Sequence, residues 1–296
     1  MRVSIGDIRL FFDVDGETLR PDGRGMRQVP TLLLLHGGPG GADHSWFKPL
    51  FAQLSDVAQV VYFDQRGCGR SDRSTRDHWN LAQWADDVRA FCDSLEIQKP
   101  IVLGVSFGGP VAMAYATRHP EHLRGLIVSG ATARWRIDRV LQAFECMGGA
   151  EARQVANRFW ENPTYEAQVE YMRMAAPLLV PLSKKRPLTE NDAGWLKNHL
   201  ARPFSNQEVQ DFFFAGEWKT FNLLPELGRI QCPTLVLSDG DPLVGLEDAN
   251  DMIAAMKTQL VEHEHFPNAG HCIVGDEPER FFAVVRRFVT TATERT

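Results

Sequence analysis

The sequence predicts an α/β fold with a mostly parallel sheet flanked by helices. Two patterns carry that prediction: short apolar runs recur along the chain, and longer amphipathic segments separate them. A third pattern points to where chemistry sits, because several short runs end in glycine-rich or acidic motifs. A strand covered on both faces reads as an unbroken apolar run, since neither face meets water. Residues 31–35, 59–63, 101–105, 125–128 and 234–237 are runs of this kind. Residues 8–14 alternate and precede the Asp15-Gly16 turn signal, and residues 260–266 complete the strand series.

Helical periodicity fills the gaps. Residues 81–95 place Leu81, Trp84, Ala85, Val88, Phe91, Cys92 and Leu95 on one stripe. Residues 106–119 are small and apolar and stop before Pro120, while residues 278–289 gather five apolar side chains on one face. The alternation breaks from 132 to 226. There, residues 139–147, 150–160, 166–174 and 192–199 read as helices, with Pro177, Pro181 and Pro187 marking a hinge or a loop between them. The expected organisation is a core of residues 1–131 and 227–296 carrying an all-helical cap at 132–226.

Composition narrows the function classes. The 296 residues are 44% hydrophobic and 24% charged, an ordinary globular balance with material for a large core. A net charge of −6 with mixed signs and no basic stripe argues against a nucleic-acid partner. The longest apolar runs are strand-sized and the N-terminal residues lack an apolar leader, so neither a membrane span nor a signal peptide is read. Five scattered cysteines, Cys68, Cys92, Cys146, Cys232 and Cys272, fit neither a disulfide framework nor close metal-ligand spacing. The expected setting is cytoplasmic. Nothing in the pattern speaks to oligomeric state.

The sharpest motif is Gly104-Val105-Ser106-Phe107-Gly108-Gly109, which follows an apolar strand and opens a helix. That context suits a nucleophile elbow, in which a tight strand-to-helix turn lifts a serine hydroxyl off the sheet. Gly104 and Gly108 leave room for the turn, and Gly109 lets the helix pack closely. The helix end adds a positive dipole near a developing oxyanion. His36-Gly37-Gly38-Pro39-Gly40-Gly41 follows the 31–35 run. With no GK[ST] after it and no GxGxxG spacing, it suits an oxyanion loop better than a phosphate cradle. Gly38 and Phe107 are the expected N–H donors, and His36 reads as a structural hydrogen-bonder.

A serine needs a base, and the acid and base of such an elbow follow it in sequence. Among the late histidines His263, His265 and His271, only His271 sits just past a strand, in Asn268-Ala269-Gly270-His271. The loop Ser238-Asp239-Gly240-Asp241-Pro242 offers two carboxylates; Asp241 fits the acid position better, and Asp239 is the runner-up, with turn capping as its other role. In Asp64-Gln65-Arg66-Gly67-Cys68-Gly69-Arg70-Ser71, the Asp and Arg read as a buried ion pair that shapes the loop. Cys68 has no basic partner that would make it a nucleophile.

Taken together, these motifs resemble the proline iminopeptidase branch of the α/β-hydrolase superfamily. The match is in HGGPGG at 36–41, DQRGCGRS at 64–71, GVSFGG at 104–109, Asp241 and Gly270-His271, in that order along nearly the whole chain. The resemblance implies an eight-stranded core with a helical cap, a triad of Ser106, Asp241 and His271, and oxyanion donors at Gly38 and Phe107. It also implies removal of an N-terminal residue, often proline, from short peptides, without metal or other cofactor.

In that branch, carboxylates of the cap, and sometimes one beside the triad acid, hold the substrate amine. Here Pro242 follows Asp241, so the adjacent place holds no acid. Glu161, Glu208, Asp211 and Glu217 are the cap candidates, with Trp160 and Phe213 among the aromatics that could line a pocket with Tyr171, Phe212, Phe214 and Trp218. An aminopeptidase therefore predicts a carboxylate over Ser106. An esterase, lactonase or amidase for a small apolar substrate predicts none. A ligand receptor with this fold is a third reading, from another class. Ser106 at the elbow disfavours the haloalkane dehalogenase and epoxide hydrolase relatives, which carry Asp there.

Overall fold

The computed structural model describes residues 1–179, 205–241 and 243–294. Ten strands form: β1 (Arg2–Ser4), β2 (Arg9–Asp15), β3 (Leu19–Asp22), β4 (Gly25–Gln28), β5 (Thr31–Leu35), β6 (Gln59–Phe63), β7 (Ile101–Val105), β8 (Gly125–Ser129), β9 (Thr234–Asp239) and β10 (Val261–Phe266). The sheet has eight strands in the order β1-β2-β6-β5-β7-β8-β9-β10, while β3 and β4 form a separate hairpin. β1 and β2 pair antiparallel, β2 meets β6 antiparallel, and the other six strands run parallel. This is the mostly parallel sheet that the apolar runs predicted.

Successive side chains of each buried strand go to opposite faces. Leu32, Leu34, Val60 and Tyr62 join one core cluster, and Leu33, Leu35, Val61 and Phe63 join the other. The first cluster is covered by α1 (Lys48–Phe51) and α9 (Pro278–Glu294), through Phe51, Phe281, Phe282, Val285 and Phe288. The second is covered by α2 (Leu81–Ser94) and α3 (Gly108–Arg118), through Trp84, Val88, Phe91 and Val111. The amphipathic stripes of residues 81–95 and 278–289 face inward as their spacing required.

Between β8 and β9 the described residues form α4 (Ile137–Glu161), α5 (Tyr165–Leu179) and α6 (Gln207–Ala215), and they add no strand to the main sheet. Gly149, at φ 76 and ψ −173, kinks α4 in the gap between the two expected segments 139–147 and 150–160. The ends of the segment are tied together, since Leu223 N–H donates to the Ala133 carbonyl at 2.8 Å. The core adds α7 (Leu246–Ala255) and the short α8 (Ile273–Asp276). The expected helix at 192–199, Pro181, Pro187 and Pro242 lie outside the described residues. None of the described helices is long and apolar enough to cross a membrane.

The expected Asp64–Arg66 ion pair does not form. Arg66 is 1% exposed and turns toward the opposite side, donating from Nε and Nη2 to Asp87 at 2.7 Å each and from Nη1 to Asp7 at 2.7 Å. Asp64 instead accepts from the backbone N–H groups of His44 and Arg70, both at 2.8 Å, and from the His44 ring. The reason is geometric: adjacent alternate residues leave a strand end on the same face but diverge once the chain turns, and a guanidinium with five donors needs two carboxylates. Arg66→Met should lower the unfolding free energy by about 3–5 kcal/mol, because it strands the buried Asp87 charge. Asp7→Asn, on the half-exposed partner, should cost about 1 kcal/mol or less. Urea denaturation of both variants checks this, and equal shifts would refute the account.

Candidate active site

Parallel strands deliver their C-terminal ends to one edge, which is where open α/β sheets place their sites. Leu35 pairs with Gly104, Val105 with Ser129, Ser129 with Leu237, and Asp239 with Phe266, so β5, β7, β8, β9 and β10 end side by side. The loops after β5, β7, β9 and β10 carry four of the five motifs singled out from the sequence, and the loop after β6 carries Asp64–Ser71.

Ser106 adopts φ 52, a left-handed conformation that non-glycine residues rarely hold. The turn is tight enough that a Cβ at Gly104 would stand 2.2 Å from the Gly108 carbonyl oxygen, and one at Gly108 would stand 2.2 Å from that of Leu35. His271 Nε2 accepts from the Ser106 hydroxyl at 3.0 Å, and His271 Nδ1 donates to Asp241 Oδ2. Burial alone would lower the His271 pKa. The charge and hydrogen bond of Asp241 outweigh it and lift the imidazole to about 9.

The two acid candidates divide cleanly. Asp241 is buried, touches His271, and also accepts the Leu243 N–H at 2.8 Å. Asp239 Oδ1 accepts the Asp241 N–H at 2.9 Å, while its Oδ2 has no partner among the described residues. Burial, then the charge of Asp241, push the Asp239 carboxyl well above the usual carboxylate range. His263 and His265 bond elsewhere: Nε2 of the first and Nδ1 of the second share the Ser238 hydroxyl at 2.8 and 2.9 Å.

Gly38 and Phe107 flank Ser106 in one cavity, and neither N–H has an acceptor among the described residues. The loop bearing Gly38 is held by buried partners. His36 Nδ1 donates to the Gly37 carbonyl at 2.9 Å, its Nε2 accepts the Gln65 N–H at 3.1 Å, and Gln65 Nε2 donates to the His36 carbonyl at 2.8 Å. Cys68 Sγ accepts the Gly40 N–H at 3.3 Å, and burial raises the thiol to about 12. Asp43, His44 and Asp64 bring potential ligand atoms within 4.8 Å of one another. They already serve as a hydrogen-bonded frame, with Asp43 capping the Ser45 N–H at 2.8 Å and Asp64 bonded to His44 and Arg70.

The cavity over Ser106, about 80 Å³, is lined by Pro39, Ala131, Trp135, Trp160, Phe214, Trp218, Leu243 and Val244, with His271 at its base. Among the described residues, no carboxylate lines it. The four cap carboxylates nominated from the sequence are engaged or turned elsewhere. Glu208 pairs with Arg76 at 2.8 Å, Asp211 accepts from Gln207 at 2.7 Å, and Glu217 caps the Leu81 N–H of α2 at 2.9 Å. Glu161 is exposed at the end of α4. Of the two nominated aromatics, Trp160 lines the cavity. Phe213 sits behind it, 5.1 Å from Trp84 and 5.2 Å from Phe107 by ring centroids, because α6 turns that face onto the core.

Sequence reasoning missed Trp135, Leu243, Val244 and Asn206. Trp135 lies in an Arg-Trp-Arg stretch with no periodicity to orient it. Asn206, just before α6, donates from its backbone N–H to the Gly40 carbonyl at 2.6 Å and from Nδ2 to the Gly67 carbonyl at 2.9 Å. It clips two active-edge loops to the helical segment, a role no local pattern encodes.

A family model of the alpha/beta hydrolase fold matches residues 30–278. A proline iminopeptidase of Clostridium botulinum is 28% identical over 275 residues, spanning 87% of this chain and 89% of that protein. A 2-hydroxymuconate semialdehyde hydrolase of Pseudomonas sp. is 35% identical over 101 residues, 34% of this chain and 36% of that protein. Among solved structures, a proline iminopeptidase of Mycobacterium smegmatis superposes with a TM-score of 0.76 at 23% identity, covering 99% of this chain and 98% of that one. With the family match spanning most of the sequence and the sheet order described above, the chain belongs to the α/β hydrolase fold family.

Proposed function

We propose that the chain is a serine hydrolase that works through an acyl-enzyme on a small substrate with an apolar acyl group. One observation carries the reading: His271 bridges the Ser106 hydroxyl, at 3.0 Å, and the buried Asp241 carboxylate. In this scheme His271 takes the Ser106 proton as the oxygen attacks the scissile carbonyl. The N–H groups of Gly38 and Phe107 hold the oxyanion, and His271 then hands the proton to the leaving group. Water, deprotonated by the same imidazole, releases the acid. Asp241 orients the ring and balances the imidazolium charge. Residues 1–131 and 227–296 form the catalytic core in this reading, and 132–226 the cap that roofs the pocket. No step calls for a metal or a cofactor.

The walls of Trp135, Trp160, Phe214, Trp218, Leu243 and Val244 support an ester, lactone or amide with a small apolar acyl part. A second reading is an aminopeptidase that removes N-terminal proline or another small residue. The names of the relatives favour it, and a prolyl ring is itself small and apolar. It also requires an anchor for the amine, and among the described residues no carboxylate lines the pocket.

Initial rates on proline and alanine naphthylamides beside p-nitrophenyl esters separate the two. Ester turnover without amide turnover is the expected result; efficient prolyl amide cleavage would shift the assignment to the peptidase. A fluorophosphonate should label Ser106 in the folded protein, and Ser106→Ala should abolish both labelling and turnover; absence of labelling would favour a receptor. Because only the neutral imidazole accepts a proton, kcat/KM should rise with pH through a midpoint above the ordinary 6.5, toward about 9. Asp241→Asn should move that midpoint down and cut kcat by a factor on the order of 10⁴. Near-normal activity of that variant would transfer the acid role to Asp239.

A further inference from the structure

The loop after β5 has little stiffness of its own. Residues 37–41 hold four glycines, Gly37, Gly38, Gly40 and Gly41, and glycine loses more backbone freedom on ordering than any other residue. Gly38 and Gly40 both adopt left-handed φ, at 51 and 70. Local bonds close the turn, since the N–H groups of Gly41 and Ala42 donate to the Gly38 carbonyl at 3.1 and 3.3 Å. Those bonds give the turn its shape. Its placement against Ser106 depends on contacts from outside the loop.

Upstream, those contacts are the His36–Gln65 bonds within the sheet-borne part of the chain. Downstream, both polar groups of the Gly40 backbone are engaged. Its N–H donates to Cys68 Sγ at 3.3 Å, and its carbonyl accepts the Asn206 N–H at 2.6 Å. Asn206 is the residue before α6, belongs to the helical segment, and is more than nine-tenths buried. Its side chain completes a ring: Nδ2 donates at 2.9 Å to the carbonyl of Gly67, the neighbour of Cys68. Gly40, Cys68, Gly67 and Asn206 thus form one closed circuit. α6 presses on the same place, because a Cβ at Gly67 would stand 2.9 Å from Val209 Cγ2.

Resting on the serine hydrolase reading above, we propose that Asn206 is a positioning residue for the oxyanion donor, holding the glycine-rich loop so that the Gly38 N–H meets the charge that forms on the substrate oxygen. The helical segment then takes part in the chemical step besides enclosing the substrate. Such donors work by being fixed before the charge arrives, and a displacement of about 1 Å costs on the order of 100-fold in rate. Asn206 does not itself line the cavity. Its loss therefore acts on the transition state and spares binding of the ground state.

Two variants test this. Asn206→Ala removes the bond to Gly67, and Asn206→Asp keeps the size while turning an acceptor toward that carbonyl. With p-nitrophenyl butyrate, kcat and kcat/KM should fall together by about tenfold or more while KM stays within about twofold. The rate is counted per site labelled by a fluorophosphonate run to completion, so unfolded chains do not enter. A second readout needs no turnover of its ligand. A trifluoromethyl ketone is captured as a hemiketal: the Ser106 oxygen bonds to the carbonyl carbon, the carbonyl oxygen takes the electron pair, and the Ser106 proton passes to His271. Its affinity should drop about tenfold in both variants, while that of the matching methyl ketone, bound without this step, stays the same. The ratio of the two affinities does not depend on the folded fraction. Arg76→Gln breaks the exposed Arg76–Glu208 pair, which joins the same two regions without touching Gly40 or Gly67, and should leave both readouts unchanged. A raised KM at constant kcat, an unaltered affinity ratio, or an equal loss in Arg76→Gln overturns the proposal. Labelled wild-type Ser106 with any of these results sinks the positioning role alone, whereas an unlabelled wild type sinks the hydrolase reading on which it rests.

Discussion

The strained turn at Ser106 is the constraint to which the rest of the site conforms. An L-residue at φ 52 costs about 1–2 kcal/mol against an ordinary conformation, and it persists only where its surroundings leave no alternative. Here β7 fixes the chain on one side and α3 on the other. Between them the Gly108 carbonyl lies where a Gly104 side chain would be, and the Leu35 carbonyl lies where a Gly108 side chain would be. The close approach of β5 is part of the same packing, so the glycine-rich loop after β5 comes to lie against Ser106. A Cβ at Gly37 would stand 3.1 Å from that of Ser106. Strain, glycine-rich loop and sheet register are therefore one arrangement.

The helical segment is fastened to that arrangement at several points. Asn206 clips the loops of Gly40 and Gly67, and a Cβ at Gly40 would collide with the Asn206 carbonyl at 2.1 Å. Phe213 packs against both Trp84 and Phe107, and Glu217 caps the first turn of α2. The burial that holds Glu217 raises its carboxyl pKa, and the Leu81 N–H opposes that rise. Phe214 and Trp218, which wall the pocket, sit on this anchored stretch. The pocket wall and the glycine-rich loop after β5 thus share supports, so a change that loosens one disturbs the other.

What could be read in the sequence was whatever has a local cause. Apolar runs buried on both faces marked β5 to β9 because both sides of the sheet are covered. The tight turn at Ser106, the glycine-rich loop after β5 and the turn at Gly270-His271 were visible because each has its own residue requirements. The separate β3–β4 hairpin was not, since its exposed, polar residues carry no core-facing alternation. Pairings decided by tertiary approach were equally hidden. Arg66 chose Asp87 over its neighbour Asp64, and Glu217 capped a helix 136 residues away in sequence. The partners of the nominated cap carboxylates were hidden for the same reason: an acidic residue on a helix reads alike whether it faces a pocket, a surface arginine or a helix N-terminus.

The end of β9 shows how the site settles two carboxylates in one buried corner. Both cannot ionise cheaply side by side, so the environment must separate them. Asp241 receives His271 and the Leu243 N–H. Among the described residues Asp239 receives only the Asp241 N–H and its Oδ2 has no partner, and burial and then its neighbour's charge push it toward the neutral form. An acid whose folded pKa is raised holds its proton while the unfolded chain has already released it. Its contribution to stability therefore declines as pH rises above the ordinary 3.8. Asp239 thus stands as a cost at neutral pH. What it returns is position: its Oδ1 fixes the backbone at Asp241, and through that residue the imidazole that faces Ser106.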